Sequence, residues 1–218
     1  MKKILIKKTN EEFNVGKIVC VGRNYAAHAA ELGNELPEFP LIFLKPSSAL
    51  IFSGNSVLYP DYSNELHYEA ELVLLIKNKI KNGNDKESAE AIGAYAVGLD
   101  MTLRDVQNEL KKRGYPWTLA KCFDTSAVVS DFISSTEYSL TFNEKIKLFQ
   151  NNQLKQNDKL TNMIFKPHQI VKYISSKMTL EPGDLVFTGT PAGVGKTKPG
   201  DKLIAEIENI GKLETKIK

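Results

Sequence analysis

Residues 66–76, LHYEAELVLLI, constrain the fold more than any other stretch. The length and apolar content of this run read as a buried strand, yet it carries Glu69 and Glu71 two apart. Alternation along a strand puts both, with His67, on one face. Two carboxylates some 5 Å apart repel by about 3 kcal/mol at an effective dielectric near 20. Burial adds a desolvation cost, so a shared proton, a basic neighbour or a divalent cation is required. The other reading is an edge strand with both glutamates facing water, and spacing alone leaves the two open. Asp100, ending the apolar run EAIGAYAVGLD (90–100), offers a third carboxylate. Three hard oxygens without cysteine favour Mg2+ or Mn2+ over zinc. His67 reads as structural or solvent-facing.

The remaining chain is strand-rich. KIVCV (17–21) leads into GRNYAAHAAELG (22–33), a short helix with Asn24 as N-cap, bracketed by the possible hinges Gly22 and Gly33. Residues 37–54 read as extended pieces broken by prolines, and 78–86 as a solvated turn. MTLRDVQNELKKRG (101–114) is the clearest helix, with a Thr102/Asp105 capping box and an apolar stripe of Leu103, Val106 and Leu110. Residues 126–132 and 138–150 read as strands, the latter turned at Asn151-Asn152 into a hairpin. KPHQIVKYISSKM (166–178) is a second helix, holding a structural or solvent-facing His168, and the tail alternates strands with Gly turns. The class is α+β without regular βαβ alternation.

With 218 residues, 42% of them hydrophobic, the chain suits a single domain. A net charge of +3 and scattered lysines give no indication of nucleic-acid binding. Cys20 and Cys122 lie far apart and outside any CxxC, which suits a reducing, cytoplasmic setting. The first residues are too short an apolar run for a signal peptide, and no run approaches the ~20 residues of a membrane span.

Several stretches together resemble the fumarylacetoacetate hydrolase family, in its short single-domain acylpyruvase and oxaloacetate decarboxylase branch. They are VGRNYAAHAAELG, PLIFLKPSSALI, HYEAELVLLI, GLDMTLRDVQ, LAKCFDTSAVV and DLVFTGTPAGVG. The resemblance makes 17–218 one catalytic domain after a short strand segment at 1–16. It implies a mixed β-roll with a few short helices, a homodimer, and one Mg2+ or Mn2+ held by Glu69, Glu71 and Asp100.

His28 and Glu31, at i and i+3, share a helix face. The resemblance makes them a general base and its orienting partner on a lid; by spacing alone they are a solvated contact. It makes Lys121 the active-site lysine, and Arg23, Arg104, Gln107 and Thr190 substrate contacts. Without it, Arg104 is a helix-surface charge and Lys121 a snorkelling lysine. Lys45 is a weaker candidate, in a loop.

The implied substrates are small 2-oxo acids, cleaved as acylpyruvate-type β-diketo acids. Oxaloacetate decarboxylation or tautomerisation, and isomerisation or decarboxylation of a hydroxydienedioate, use the same electron sink. A catalytically inactive, metal-stabilised scaffold is the non-enzyme rival. GTPAGVGKT (189–197) imitates a phosphate loop, but Thr190 stands where the template needs glycine and a strand pattern follows.

Overall fold

The apolar run at 70–76 has no polar alternation because both of its faces are covered. In the computed structural model, which describes residues 2–6, 8–31, 33 and 35–218, every residue of strand Ala70–Ile76 is buried. Leu72, Leu74 and Ile76 enter one core with Val19, Val97, Leu99 and Val186. Val73 and Leu75 enter a second with Ile18, Cys20, Ala96 and Phe187. A strand buried on both sides loses the two-residue hydrophobic period.

This strand lies inside an eight-stranded mixed sheet, in the order Leu41–Pro46, Lys17–Gly22, Leu185–Phe187, Ala70–Ile76, Ile92–Asp100, Ala127–Val129 and Leu50–Phe52, with Ile133–Ser134 pairing onto Ile92–Asp100. Two of the pairings are parallel, between 185–187 and 17–22 and between 127–129 and 50–52. A five-stranded sheet runs Gln153–Lys159, Lys145–Gln150, Lys202–Ile207, Gly211–Ile217 and Ser56–Val57. A small three-stranded sheet joins Thr102–Leu103, Leu66–Tyr68 and Gly195–Lys196, and an N-terminal hairpin pairs Lys3–Ile6 with Glu11–Asn14. The helices are α1 (Ala26–Glu31), α2 (Asp85–Glu90), α3 (Arg104–Lys112), α4 (Thr118–Lys121) and α5 (Pro167–Lys177). The fold is thus a strand-rich α+β roll. Among the described residues, no helix is long and apolar enough to cross a membrane.

Gly98 faces Glu71 across the sheet, where a Cβ would stand 2.4 Å from Val73 Cγ2 and 2.7 Å from Phe187 Cε1. Only glycine lets these neighbours close over the strand beside the acids.

Several local expectations change. The 66–76 run is two strands broken at Glu69, because the Ala70 N–H leaves the ladder for the Gln156 side chain at 3.0 Å. The clearest helix begins at Arg104, not at residue 101. Thr102 pairs in a strand with His67, and no capping box forms; Asp105 instead accepts from Ser63 Oγ at 2.6 Å and from the Asn64 N–H at 2.8 Å. Asn24 is not an N-cap: its amide donates to the Phe165 and Thr188 carbonyls, tying the α1 entry to two distant segments. The supposed turn at 78–86 leads into α2, capped by an Asn84/Glu87 box. The Asn151-Asn152 hairpin turn forms, both residues having positive φ (51° and 66°).

Candidate active site and metal centre

Two antiparallel strands bring the acids together. Asp100 ends its strand beside the break at Glu69, and its N–H donates to the Glu69 carbonyl at 2.9 Å. Glu69, Glu71 and Asp100, all buried, each offer a carboxylate oxygen, and these oxygens lie within 4.8 Å of one another.

Cations surround this cluster. Lys121, at the end of α4, places Nζ 2.8 Å from Glu69 Oε2 and 2.6 Å from Asp100 Oδ2, and donates to Thr102 Oγ1 at 2.6 Å. Arg104 pairs with Glu69 through Nη2 and donates to Gln107 Oε1 at 2.6 Å through Nη1. Lys45 Nζ lies 2.8 Å from Asp100 Oδ1, an ion pair without hydrogen-bond alignment. It donates instead to the carbonyls of Met101 (3.2 Å), Ser126 (3.1 Å) and Lys121.

The acids differ in charge state for stated reasons. Burial alone would raise Glu69, but Lys121 and Arg104 hold it well below the carboxylate range. Glu71 goes the other way: burial raises it, and Asp100 and Glu69 beside it raise it further, against the Gly189 N–H that donates to Oε2 at 2.6 Å. Lys121 is raised, since Asp100 and Glu69 outweigh its burial.

A hard divalent cation fits this donor set. Glu71 is a buried carboxylate whose contact is a backbone N–H rather than an ammonium, so the cluster lacks positive charge on that side. Carboxylate oxygens without sulfur suit Mg2+ or Mn2+, and each carboxylate retains lone pairs beyond those its cations use.

The His28–Glu31 pair stands over the same pocket on α1. His28 is buried, with Nδ1 3.2 Å from Glu31 Oε2, and Glu31 also accepts the Gly193 N–H at 3.1 and 3.2 Å. A carboxylate only accepts, so Nδ1 carries the proton and Nε2 keeps its lone pair. Burial lowers the His28 pKa below the ordinary imidazole value despite the pull of Glu69 and Glu31.

Of the sequence-expected site residues, Arg23, His28, Glu69, Glu71, Asp100, Arg104, Gln107, Lys121 and Thr190 all line this one pocket, and Glu31 reaches it through His28. Arg23 adopts φ +58°, unusual for a side-chain-bearing residue. His67 lies outside, with Nε2 4.0 Å from Glu65. His168 is half-buried on α5 and also lies outside.

Other participants were underweighted or missed. Lys45 is on strand Leu41–Pro46, not in a loop, and is fully buried against Asp100. Phe43, Lys111 and Trp117 complete the wall. Gly189, with φ +96° and no room for a Cβ beside Asn24 (2.7 Å), turns its N–H onto Glu71. The imitation phosphate loop therefore serves an acid, and it runs into strand Gly195–Lys196 rather than a helix. Residues 45 and 117 carry no spacing signal; Lys111, at i+7 from Arg104 and i+4 from Gln107 on α3, does share their helix face; Gly189 is visible in the sequence only as part of the imitation phosphate loop.

Fold and pocket together define a strand-rich α+β protein with a buried acid cluster in a cation-lined cleft. The chain belongs to the fumarylacetoacetate hydrolase family: residues 17–218 match the profile of the fumarylacetoacetate (FAA) hydrolase C-terminal domain. It is 42% identical over 200 residues to the mitochondrial oxaloacetate tautomerase of Bos taurus, covering 92% of this chain and 90% of that protein. The crystal structure of fumarylpyruvate hydrolase from Pseudomonas aeruginosa with Mn2+ and pyruvate superposes with TM-score 0.94 at 34% identity, over 99% of this chain and 95% of that one. That of 5-carboxymethyl-2-hydroxymuconate delta-isomerase from Mycobacterium smegmatis gives 0.83 at 33%, over 94% and 79%. One fold thus carries proteins named for tautomerisation, hydrolysis and isomerisation.

Proposed function

We propose that residues 17–218 act as a single catalytic domain, a divalent-metal-dependent enzyme that hydrolyses the C–C bond of acylpyruvate-type β-diketo acids. The observation that carries this reading is the Glu31-oriented His28 facing the same pocket as the three carboxylates. Mg2+ or Mn2+ held by Glu69, Glu71 and Asp100 supplies Lewis acidity for negative charge developing on a 2-oxo acid.

The chain's own groups supply the rest. Gln107, Thr190 and the Arg104 guanidinium bind the substrate carboxylate. His28 Nε2 takes a proton from water, and the resulting hydroxide attacks the distal carbonyl carbon. The C–C bond breaks toward pyruvate as its enolate, and protonated His28 returns the proton to carbon. Lys121 balances the charge while it resides on oxygen. The products are a carboxylic acid and pyruvate.

The second reading is oxaloacetate tautomerisation or decarboxylation, favoured by the identity to the Bos taurus tautomerase. It needs the same charge stabilisation but no attacking water. Isomerisation or decarboxylation of a hydroxydienedioate is a further use of the site. Assay of acetylpyruvate, keto and enol oxaloacetate and dienedioates with Mg2+ or Mn2+ separates them: hydrolysis of acetylpyruvate that disappears in His28→Ala is the expected result. Full-rate hydrolysis in that variant contradicts the role of His28, and inactivity on every substrate with metal bound supports a scaffold instead.

A homodimer and a cytoplasmic setting go with this reading. The exposed side chains of Leu44, Tyr115 and Leu119 offer apolar surface for a second copy, and both cysteines are free thiols.

A further inference from the structure

Arg104 enters the pocket from a short strand as well as from its helix. Thr102 and Leu103 pair antiparallel with His67 and Leu66, and the Arg104 N–H continues the ladder by donating to the Glu65 carbonyl at 2.8 Å. His67 therefore stands opposite Thr102 and diagonal to Arg104, on the face where Thr102 Oγ1 meets Lys121. Diagonal neighbours on such a pair lie within reach of long side chains.

The Arg104 guanidinium is incompletely paired at Nε. Nη1 donates to Gln107 and Nη2 to Glu69, but Nε is buried without a partner among the described residues. The polar side chains beside it in sequence are engaged elsewhere: Asp105 accepts from Ser63 and the Asn64 N–H, and Thr102 Oγ1 accepts from Lys121. A buried guanidinium N–H without an acceptor is costly.

His67 carries the complementary defect. Its Nδ1 is also buried without a partner among the described residues, while Nε2 faces Glu65 Oε2 at 4.0 Å. A carboxylate draws the proton to the nearer nitrogen, so a neutral ring keeps it on Nε2 and leaves a lone pair on Nδ1. A buried N–H donor and a buried imidazole lone pair on neighbouring positions satisfy each other through one bridging water.

We propose that His67 is a positioning residue for Arg104: its Nδ1 accepts the Arg104 Nε–H through a bridging water and so fixes the plane of the guanidinium that receives the carboxylate of a 2-oxo acid. This rests on the reading above, in which Arg104 binds that carboxylate. His67 lies outside the pocket and acts only through the arginine. A guanidinium held at Nε as well as at both Nη atoms presents its fork to a planar carboxylate without losing orientation on binding.

The chain holds only the histidines His28, His67 and His168 and the arginines Arg23, Arg104 and Arg113, so each imidazole and each arginine Nε–H signal is assignable by single substitutions. In the Mg2+-saturated protein at about pH 8, above the ordinary imidazole pKa, nitrogen NMR should show His67 protonated at Nε2 and bare at Nδ1. The Arg104 Nε–H should exchange with solvent about tenfold faster in His67→Leu and at the original rate in His67→Asn, whose Oδ1 takes the place of Nδ1. Calorimetric affinity for pyruvate should follow the same order, about fivefold weaker in His67→Leu, the effect of one lost hydrogen bond, and restored in His67→Asn. In an Arg104→Lys background, which lacks Nε, His67→Leu should weaken pyruvate no further. A protonated Nδ1 in the unmodified protein, unchanged Arg104 Nε–H exchange in His67→Leu, or a His67→Asn as weak as His67→Leu overturns the role of His67 while leaving the 2-oxo acid reading intact. Failure of pyruvate to bind the unmodified Mg2+-saturated protein overturns that reading instead, and the nitrogen spectrum still decides the contact.

Discussion

Gln156 donates its side-chain amide to Thr190 Oγ1 at 2.8 Å, while its own carbonyl accepts the N–H of Ala70. The same amide also donates to the Pro191 carbonyl at 2.9 Å, which fixes its orientation. Because Thr190 Oγ1 already accepts, its proton is free to be given to a ligand in the pocket. One buried glutamine on an otherwise exposed polar strand thus links the residue between Glu69 and Glu71 to the loop that faces them.

Gln156→Leu should therefore raise KM for the 2-oxo acid about tenfold with a smaller change in kcat, the loss of one oriented hydrogen bond to a charged group. Thr190→Val should do the same, and the double variant should be little worse than either single one. Fully additive losses would separate the two residues. A purely structural Gln156 would lower thermal stability without this dependence on Thr190.

Divalent metal should stabilise the folded chain. At a hundredfold excess over Kd, binding to the native state contributes about 2.7 kcal/mol. For a chain of this size each kcal/mol raises Tm by roughly 2–4 °C. A scan with saturating Mg2+ or Mn2+ against chelator should show an upward shift of roughly 5–10 °C, absent in Asp100→Asn. No shift in the unmodified chain contradicts the metal centre.

Lys45→Met should destabilise the fold by about 3–5 kcal/mol, because it removes a buried partner of Asp100 and takes one donor from each of the carbonyls of Met101, Lys121 and Ser126, of which Lys121 keeps the Ser126 hydroxyl and Ser126 keeps the Met101 N–H. Lys45→Arg should not restore it, since a planar fork cannot reproduce the convergence of a single ammonium. Denaturant unfolding measures both; a loss under 1 kcal/mol for Lys45→Met would make the contact dispensable.

His28 sets the pH dependence. Burial places its pKa below the ordinary value, so kcat/KM for hydrolysis should fall only as pH drops through a midpoint under about 6.5. Between the folded and unfolded values the unfolded chain binds more protons, so the contribution of this residue to stability also declines as pH falls through that interval. A pH–rate profile with its acid limb well above 6.5 would assign the base elsewhere.

The sequence makes the E-x-E pair legible because a strand has no cheap reason to bury two acids, and Asp100 legible because it ends a run of nine residues that all enter the sheet. The dyad is legible as a spacing, but only the family pattern gives it a role. Lys45 is legible only as a weak candidate: within LIFLKP it reads as a solvated loop lysine, because its acceptors lie 56 to 81 residues away. Gln156 is hidden for the same reason, inside QLKQNDK, where its partners are 34 and 86 residues distant. Thr102 and Asp105 misled because Ser63 and the Asn64 N–H compete successfully for the carboxylate that a capping box would use. Contacts of long sequence separation decide each of these cases, and local pattern carries no record of them.

The most direct measurement is the anomalous scattering of a crystal grown with Mn2+. The account predicts one strong peak in the pocket, coordinated by an oxygen from each of Glu69, Glu71 and Asp100. A Mn2+-saturated crystal with no peak among these three carboxylates, or with the ion bound elsewhere, would contradict it.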